Sequence, residues 1–215
     1  MTGWFITFEG GEGVGKSTQI QLLAERLRGL GRRVCVLREP GGTPIGEEIR
    51  HTLKHSDANH AMTPEAELLL MNASRAQLVR ERIRPALAAG EIVLCDRFYD
   101  STLAYQGYGR ELDLKRVRQA IDIAVDGTHP DLTLLLVVPA EVAGQRMEQR
   151  RGAAPAVRDR LEESGREFFR RVDAGYRALA AAEPGRFRIV EASGDVTVVS
   201  EAIWRHVAPI LPTGS

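Results

Sequence analysis

The chain has 215 residues, which suits one domain of ordinary size with a substantial core. Its 29 basic residues balance 29 acidic ones, so no broad positive field marks it for nucleic acid, although only Lys16, Lys54 and Lys115 among the basic set are lysines. The apolar start of the chain stops at Glu9 without a basic lead-in, and no segment approaches about 18 uninterrupted apolar residues, which predicts a cytoplasmic protein with neither signal peptide nor membrane span.

Strand-like runs alternate with longer helical patterns. The first run, WFITFE (4–9), is followed by a helix from Lys16 with Ile20, Leu23, Leu27 and Leu30 at helical spacing and Gly31 ending it. RVCVLR (33–38) comes next, then a long helix opening at Thr63-Pro64 with Glu65 and Glu67 in its first turn. The periodicity of that helix predicts a buried face through Leu69, Ala73, Ala76, Val79, Ile83 and Leu87. EIVLCD (91–96), DLTLLLVV (131–138) and RFRIVEA (186–192) complete the strands, with helices predicted near 113–126, 140–151, 163–183 and 195–210. Near-continuous apolar strands separated by helices predict a three-layer α/β domain with a parallel sheet. Cys35 and Cys95 sit inside two of these strands rather than in a CxxC pair, and read as buried, reduced thiols of an intracellular protein. With no repeat, low-complexity tract or linker, residues 1–215 read as a single domain.

Between the first strand and first helix lies GGEGVGKST (10–18), in which Gly10-x4-Gly15-Lys16-Ser17 matches the phosphate-binding loop. Glycines let successive backbone N–H groups curl around an anion, and the helix start adds the positive end of its dipole. Lys16 supplies a mobile charge for the β- and γ-phosphates, and Ser17 can hold Mg²⁺. Residues Gly10, Gly11, Glu12, Gly13, Val14, Gly15, Lys16, Ser17 and Thr18 are therefore the candidate ATP contacts. The loop alone leaves kinases, GTPases and regulatory ATPases open; the absence of an NKxD guanine-reading motif weighs against the GTPases.

Four further blocks follow in order: REPGGTPIGE (38–47), ASRAQ (73–77), DRFYDSTLAYQG (96–107) and DRLE (159–162). With FEGGEGVGKST they closely resemble the bacterial thymidylate kinases across nearly the whole chain. The resemblance implies a P-loop nucleoside monophosphate kinase fold with a five-stranded parallel sheet, transfer from Mg-ATP to dTMP, and a homodimer without membrane or nucleic-acid partners. It makes Glu12 a ligand of the acceptor's sugar 3′-hydroxyl, which suits a group that only accepts hydrogen bonds. Arg38, Glu39, Pro40 and Arg50 are implied to border the dTMP pocket, with Arg75 reading the thymine edge beside Ser74. Where many members carry a stacking Phe, this chain has Met71 followed by Asn72. Asp96, with Ser17 and Glu9, is implied to order the metal shell, and Arg97 to grip the acceptor phosphate with two parallel bonds. Ser101, Thr102, Tyr105 and Gln106 are implied to line its sugar and base end. The arginine-rich run 146–160 resembles the lid of members whose phosphate loop lacks its own arginine. Arg150 and Arg158 are its candidate catalytic residues, with Arg146, Arg151 and Arg160 in the same run. His51, His55 and His60 lie close in sequence but complete no metal-ligand pattern. A hydroxyl-directed deoxynucleoside kinase, an adenylate-type or pyrimidine ribonucleotide kinase, and a slow ATP-hydrolysing regulatory module are the alternatives; ADP formation strictly dependent on dTMP separates them.

Overall fold

All five apolar runs form strands within one residue of their predicted ends: β1 (Trp4–Glu9), β2 (Val34–Arg38), β3 (Ile92–Asp96), β4 (Leu132–Val137) and β5 (Phe187–Glu191). The computed structural model describes residues 3–152, 160 and 164–211, with the backbone alone for 149–152. The strands make one parallel sheet in the order β2-β3-β1-β4-β5. The helices are α1 (Lys16–Gly29), α2 (Pro44–Lys54), α3 (Pro64–Leu78), α4 (Arg84–Ala88), α5 (Tyr99–Thr102), α6 (Leu114–Val125), α7 (Ala140–Gly152), α8 (Arg166–Ala182) and α9 (Val196–Val207). None of the helices among the described residues is long and apolar enough to cross a membrane.

Alternation along the strands divides the core into two layers. Phe5, Val93 and Leu135 pack with Leu78 of α3, Val117 of α6 and Val172 of α8. Ile6, Phe8 and Leu94 face the other way, onto Ile20, Leu23 and Leu27 of α1 and Val199 and Ile203 of α9. Both sheet faces are thus covered, which is why the strands read as apolar runs. Register then gathers the strand ends: Asp96 pairs with Phe8 of β1 and Arg38 of β2, while Glu9 pairs with Leu135. This carboxyl edge is where open α/β sheets bind ligands.

Two helical segments depart from the sequence reading. Leu69, expected on the buried face of α3, is 63% exposed, and Ala73 is exposed as well. The buried line is Glu67, Leu68, Asn72, Ser74, Arg75 and Leu78, mostly polar because this side of α3 walls the site. A π-type turn at Val79–Ile83 then inserts an extra residue and changes the phase, so that Val79 and Ile83 are buried as expected. The second departure is α2, which has too few buried residues, Gly46 and Leu53, to announce itself by periodicity. Its start is instead set by Thr43, whose hydroxyl accepts from the Gly46 N–H at 3.0 Å, with Pro44 at the first position.

Candidate active site

The phosphate loop owes its shape to left-handed backbone at Gly10 (φ 126°), Gly13 (φ 74°) and Gly15 (φ 96°). A Cβ at Gly10 would lie 2.3 Å from the Leu136 carbonyl oxygen, so only glycine fits there. Lys16, buried at the start of α1, donates to the carbonyls of Gly10 (3.1 Å) and Gly11 (2.7 Å). Burial and the nearby Arg97 lower its pKa to about 8, against the pull of Glu12, Asp96 and Glu9. Ser17 donates to Asp96 Oδ2 at 3.1 Å, which brings the loop hydroxyl and the β3 carboxylate to one point. These groups open on a cleft of about 600 Å³ whose wall includes Gly13, Gly15, Thr18, Arg50 and Arg146. Val14 is buried and faces the core, so its contribution to the loop is packing.

Arg97 stands between this cleft and a narrower slot, and lines both. It follows β3 with φ 70°, a left-handed conformation rare for a side chain of this size. Its Nη2 donates to Glu12 Oε1 at 2.7 Å and to the Tyr105 hydroxyl at 3.2 Å. Its Nη1 donates to the Gly10 carbonyl, Ser101 and Tyr176 at 3.0, 3.1 and 3.1 Å. Burial opposes ionisation of Glu12, but Arg97, Lys16 and Lys54 outweigh it and hold the carboxyl well below its usual range. Glu9, expected to share in ordering the metal shell, has both oxygens hydrogen-bonded in the interior. Oε1 accepts from the Phe98 N–H at 2.8 Å, and Oε2 from Ser101 at 2.6 Å and Tyr176 at 2.9 Å. Burial, reinforced by Asp100, raises its pKa to about 7. Tyr176 was invisible as a site residue in the sequence: it lies on α8 at an ordinary core position, and no motif surrounds it.

The slot is lined by Glu39, Pro40, Met71, Arg75, Thr102 and Gln106, together with Glu12, Ser101 and Tyr105. Arg75 is 2% exposed and held on several sides. Nε and Nη2 donate to Glu39 Oε2 (2.9 and 2.7 Å), Nη1 to Asn72 (2.8 Å), and Nη2 also to Thr102 (2.9 Å) and the Phe98 carbonyl (3.3 Å). Glu39 Oε1 is buried without a hydrogen-bond partner among the described residues. Met71 occupies the predicted stacking position at the slot wall, while Asn72 is turned inward to Arg75.

Other expected contacts sit elsewhere. Ser74 does not line the slot; its hydroxyl accepts from the Gly41 N–H at 3.0 Å and anchors the REPGG loop to α3. Arg38 makes a two-bond fork to Glu47 (2.9 and 3.0 Å) and lines the cleft rather than the slot. Arg50 donates to the Pro40 carbonyl at 3.0 Å from the cleft side. Of the arginine-rich run, Arg158 and the side chains of Arg150 and Arg151 lie outside the described residues. Arg146 lies beside the phosphate loop and donates to the Ala192 carbonyl at 3.1 Å. Arg160 is engaged away from the cleft, donating to Glu67 Oε2 and, at 2.8 Å, to the Met62 carbonyl.

The chain has close counterparts. A sequence profile described as thymidylate kinase matches residues 8–203. Thymidylate kinase from a Synechococcus species is 51% identical over 208 residues, covering 97% of this chain and 96% of that protein. The counterpart from Geotalea uraniireducens is 50% identical over 213 residues, covering 99% and 100%. The structure of thymidylate kinase from Ehrlichia chaffeensis superposes with a TM-score of 0.77 at 32% identity, covering 97% of this chain and 99% of that one.

Proposed function

Because the chain belongs to the thymidylate kinase family, and so phosphorylates dTMP to dTDP with ATP in the synthesis of dTTP, we propose that the cleft and the slot are the donor and acceptor sites of that transfer. The observation that carries the assignment is the Glu12–Arg97 pair on the wall the two cavities share. A donor phosphate on the glycine loop and an acceptor phosphate on Arg97 would meet there.

The acceptor phosphate needs no general base, because its second pKa is about 6 and its oxygen is already anionic at neutral pH. The chain's task is to position and to stabilise charge. Lys16 exchanges the Gly10 and Gly11 carbonyls for donor phosphate oxygens, and Arg97 turns donors now shared by Tyr105, Tyr176 and Ser101 toward the acceptor. Glu12 then accepts from the sugar 3′-hydroxyl, and Tyr105 packs beside the sugar. At the base end Arg75 presents its remaining Nη1 hydrogen to thymine O4, held in place by Glu39, Asn72 and Thr102. Glu9, Ser101 and Tyr176 fix the floor under Arg97.

Ser17 and Asp96 are hard oxygen donors already in mutual contact, a set that fits Mg²⁺, and they would hold the ion. Bound with ATP, Mg²⁺ neutralises charge on the phosphates. We assign the run 146–160 as a lid, within a single domain, that supplies arginine charge to the transferring phosphoryl group. Dimerisation through the outer face of α3 is supported by its exposed Leu69 and Ala73, which follow the spacing of a buried stripe. A cytoplasmic location is inferred from membership of the bacterial thymidylate kinase family. A coupled ADP-release assay across dTMP, dUMP, UMP, AMP and thymidine tests the assignment: turnover should be highest on dTMP, and equal rates without acceptor would refute it.

A further inference from the structure

Glu67 is a carboxylate with no exposed surface, on the wall of α3 behind the slot. It touches no part of the phosphate loop's machinery, yet it gathers three side chains. Oε1 accepts from Gln106 Nε2 at 2.7 Å and from Arg110 Nε at 3.2 Å. Oε2 accepts from Arg110 Nη2 at 3.0 Å and from Arg160 Nη1. Burial works against its ionised form, but Arg110, Gln106 and Arg160 outweigh it and lower its pKa. Two guanidinium groups therefore keep a charged acceptor next to a neutral amide. That is more than packing requires, since a buried carboxylate costs several kcal/mol unless such partners surround it.

The amide is the one member of this cluster that reaches the acceptor slot. A glutamine side chain can turn either its NH₂ or its carbonyl toward a ligand, and the two choices read opposite base edges. A carboxylate accepts and never donates, so it can hold only the NH₂ end. We propose that Glu67 is a specificity-positioning residue: it fixes the Gln106 amide so that the carbonyl end serves the base, selecting pyrimidines that carry a hydrogen on N3. Thymine and uracil have that hydrogen; cytosine has a lone pair there and repels the same oxygen. Arg110 and Arg160 act one step further out, by keeping Glu67 ionised. This rests on the slot being the acceptor site.

The experiment compares kcat/KM for dUMP and dCMP, acceptors that share sugar and phosphate, in the wild type and in Glu67→Gln, Glu67→Asp, Gln106→Met and Glu67→Gln/Gln106→Met. Glu67→Gln lets both amides flip, so the preference for dUMP should narrow by about tenfold, the scale of one hydrogen bond to a charged group. Glu67→Asp keeps the charge for both arginines but withdraws from Gln106. It should show the same narrowing, and it serves if the amide variant does not fold. Gln106→Met should narrow the preference as much, and the double variant no further. An unchanged ratio in Glu67→Asp or Gln106→Met, or additive narrowing in the double variant, would overturn the proposal. A wild type that uses neither acceptor nor dTMP would refute the acceptor-site assignment instead.

Discussion

Replacing Glu39 by alanine should destabilise the protein more than any surface ion pair could. The pair it forms with Arg75 is nearly dry, with side chains 4% and 2% exposed, and one oxygen receives two of the guanidinium's donors. Removing the acid leaves Arg75 charged, buried and held only by Asn72, Thr102 and a carbonyl, none of which carries a negative charge. Breaking one side of a buried pair costs about 3–5 kcal/mol, which in a chain of this size lowers Tm by roughly 10 °C. Removing both charges by Glu39→Leu with Arg75→Met should recover most of that loss, because no uncompensated ion remains. The double variant should nevertheless bind dTMP poorly, since the group facing thymine O4 is gone. Urea unfolding at constant m-value gives the stabilities, and dTMP KM gives the binding. A loss below about 1 kcal/mol in Glu39→Ala, or a double variant as unstable as the two single changes added, would refute the interdependence of this pair.

Lys16→Ala should fold normally and lose at least about 10³ in turnover, measured by ADP release, because it removes the loop's charge on the phosphates. Replacing Arg146, Arg150, Arg151 and Arg158 one at a time should give at least one variant with low kcat and an unchanged dTMP KM; four wild-type profiles would reduce the run to a solvated face. Tyr105→Phe should keep the preference for dUMP over UMP and Tyr105→Ala should narrow it, as kcat/KM for the two acceptors will show. Glu9, raised to about 7 by burial and by Asp100, stabilises the fold most fully below about pH 4.5 and loses that contribution as pH rises through 7. The loss is on the order of 3 kcal/mol. Unfolding at pH 5 and pH 8 should therefore show a smaller drop in Glu9→Gln than in the wild type.

What the sequence disclosed follows from how locally each feature is determined. The strands were legible because burial on both faces leaves little but apolar residues in them, and the phosphate loop because glycine, lysine and serine are needed at fixed offsets. Glu12 took its role from the resemblance, its acceptor-only chemistry merely agreeing, and it stands at the join of the two cavities. The surroundings of Glu9 were not legible because a strand end specifies where the backbone stops, not which way the last side chain is drawn; Phe98, Ser101 and Tyr176 decide that from 89, 92 and 167 residues away. Ser74 shows the same limit, since its partner Gly41 belongs to a loop 33 residues earlier. The outward face of α3 misled for another reason. A helix that walls a polar pocket carries its buried residues as Glu67, Asn72 and Arg75, and a hydrophobic period cannot find them.

Arg97 also constrains how this chain can change. Its left-handed backbone is a conformation that glycine enters freely and arginine only at a cost, on the order of 1 kcal/mol. Glycine there would relieve that backbone cost, but it would also remove five side-chain hydrogen bonds and leave Glu12 without its guanidinium partner, so the contacts hold an arginine where the backbone resists one. Arg97→Gly should therefore lower stability and turnover together, because the lost contacts outweigh the gain in the dihedral angle.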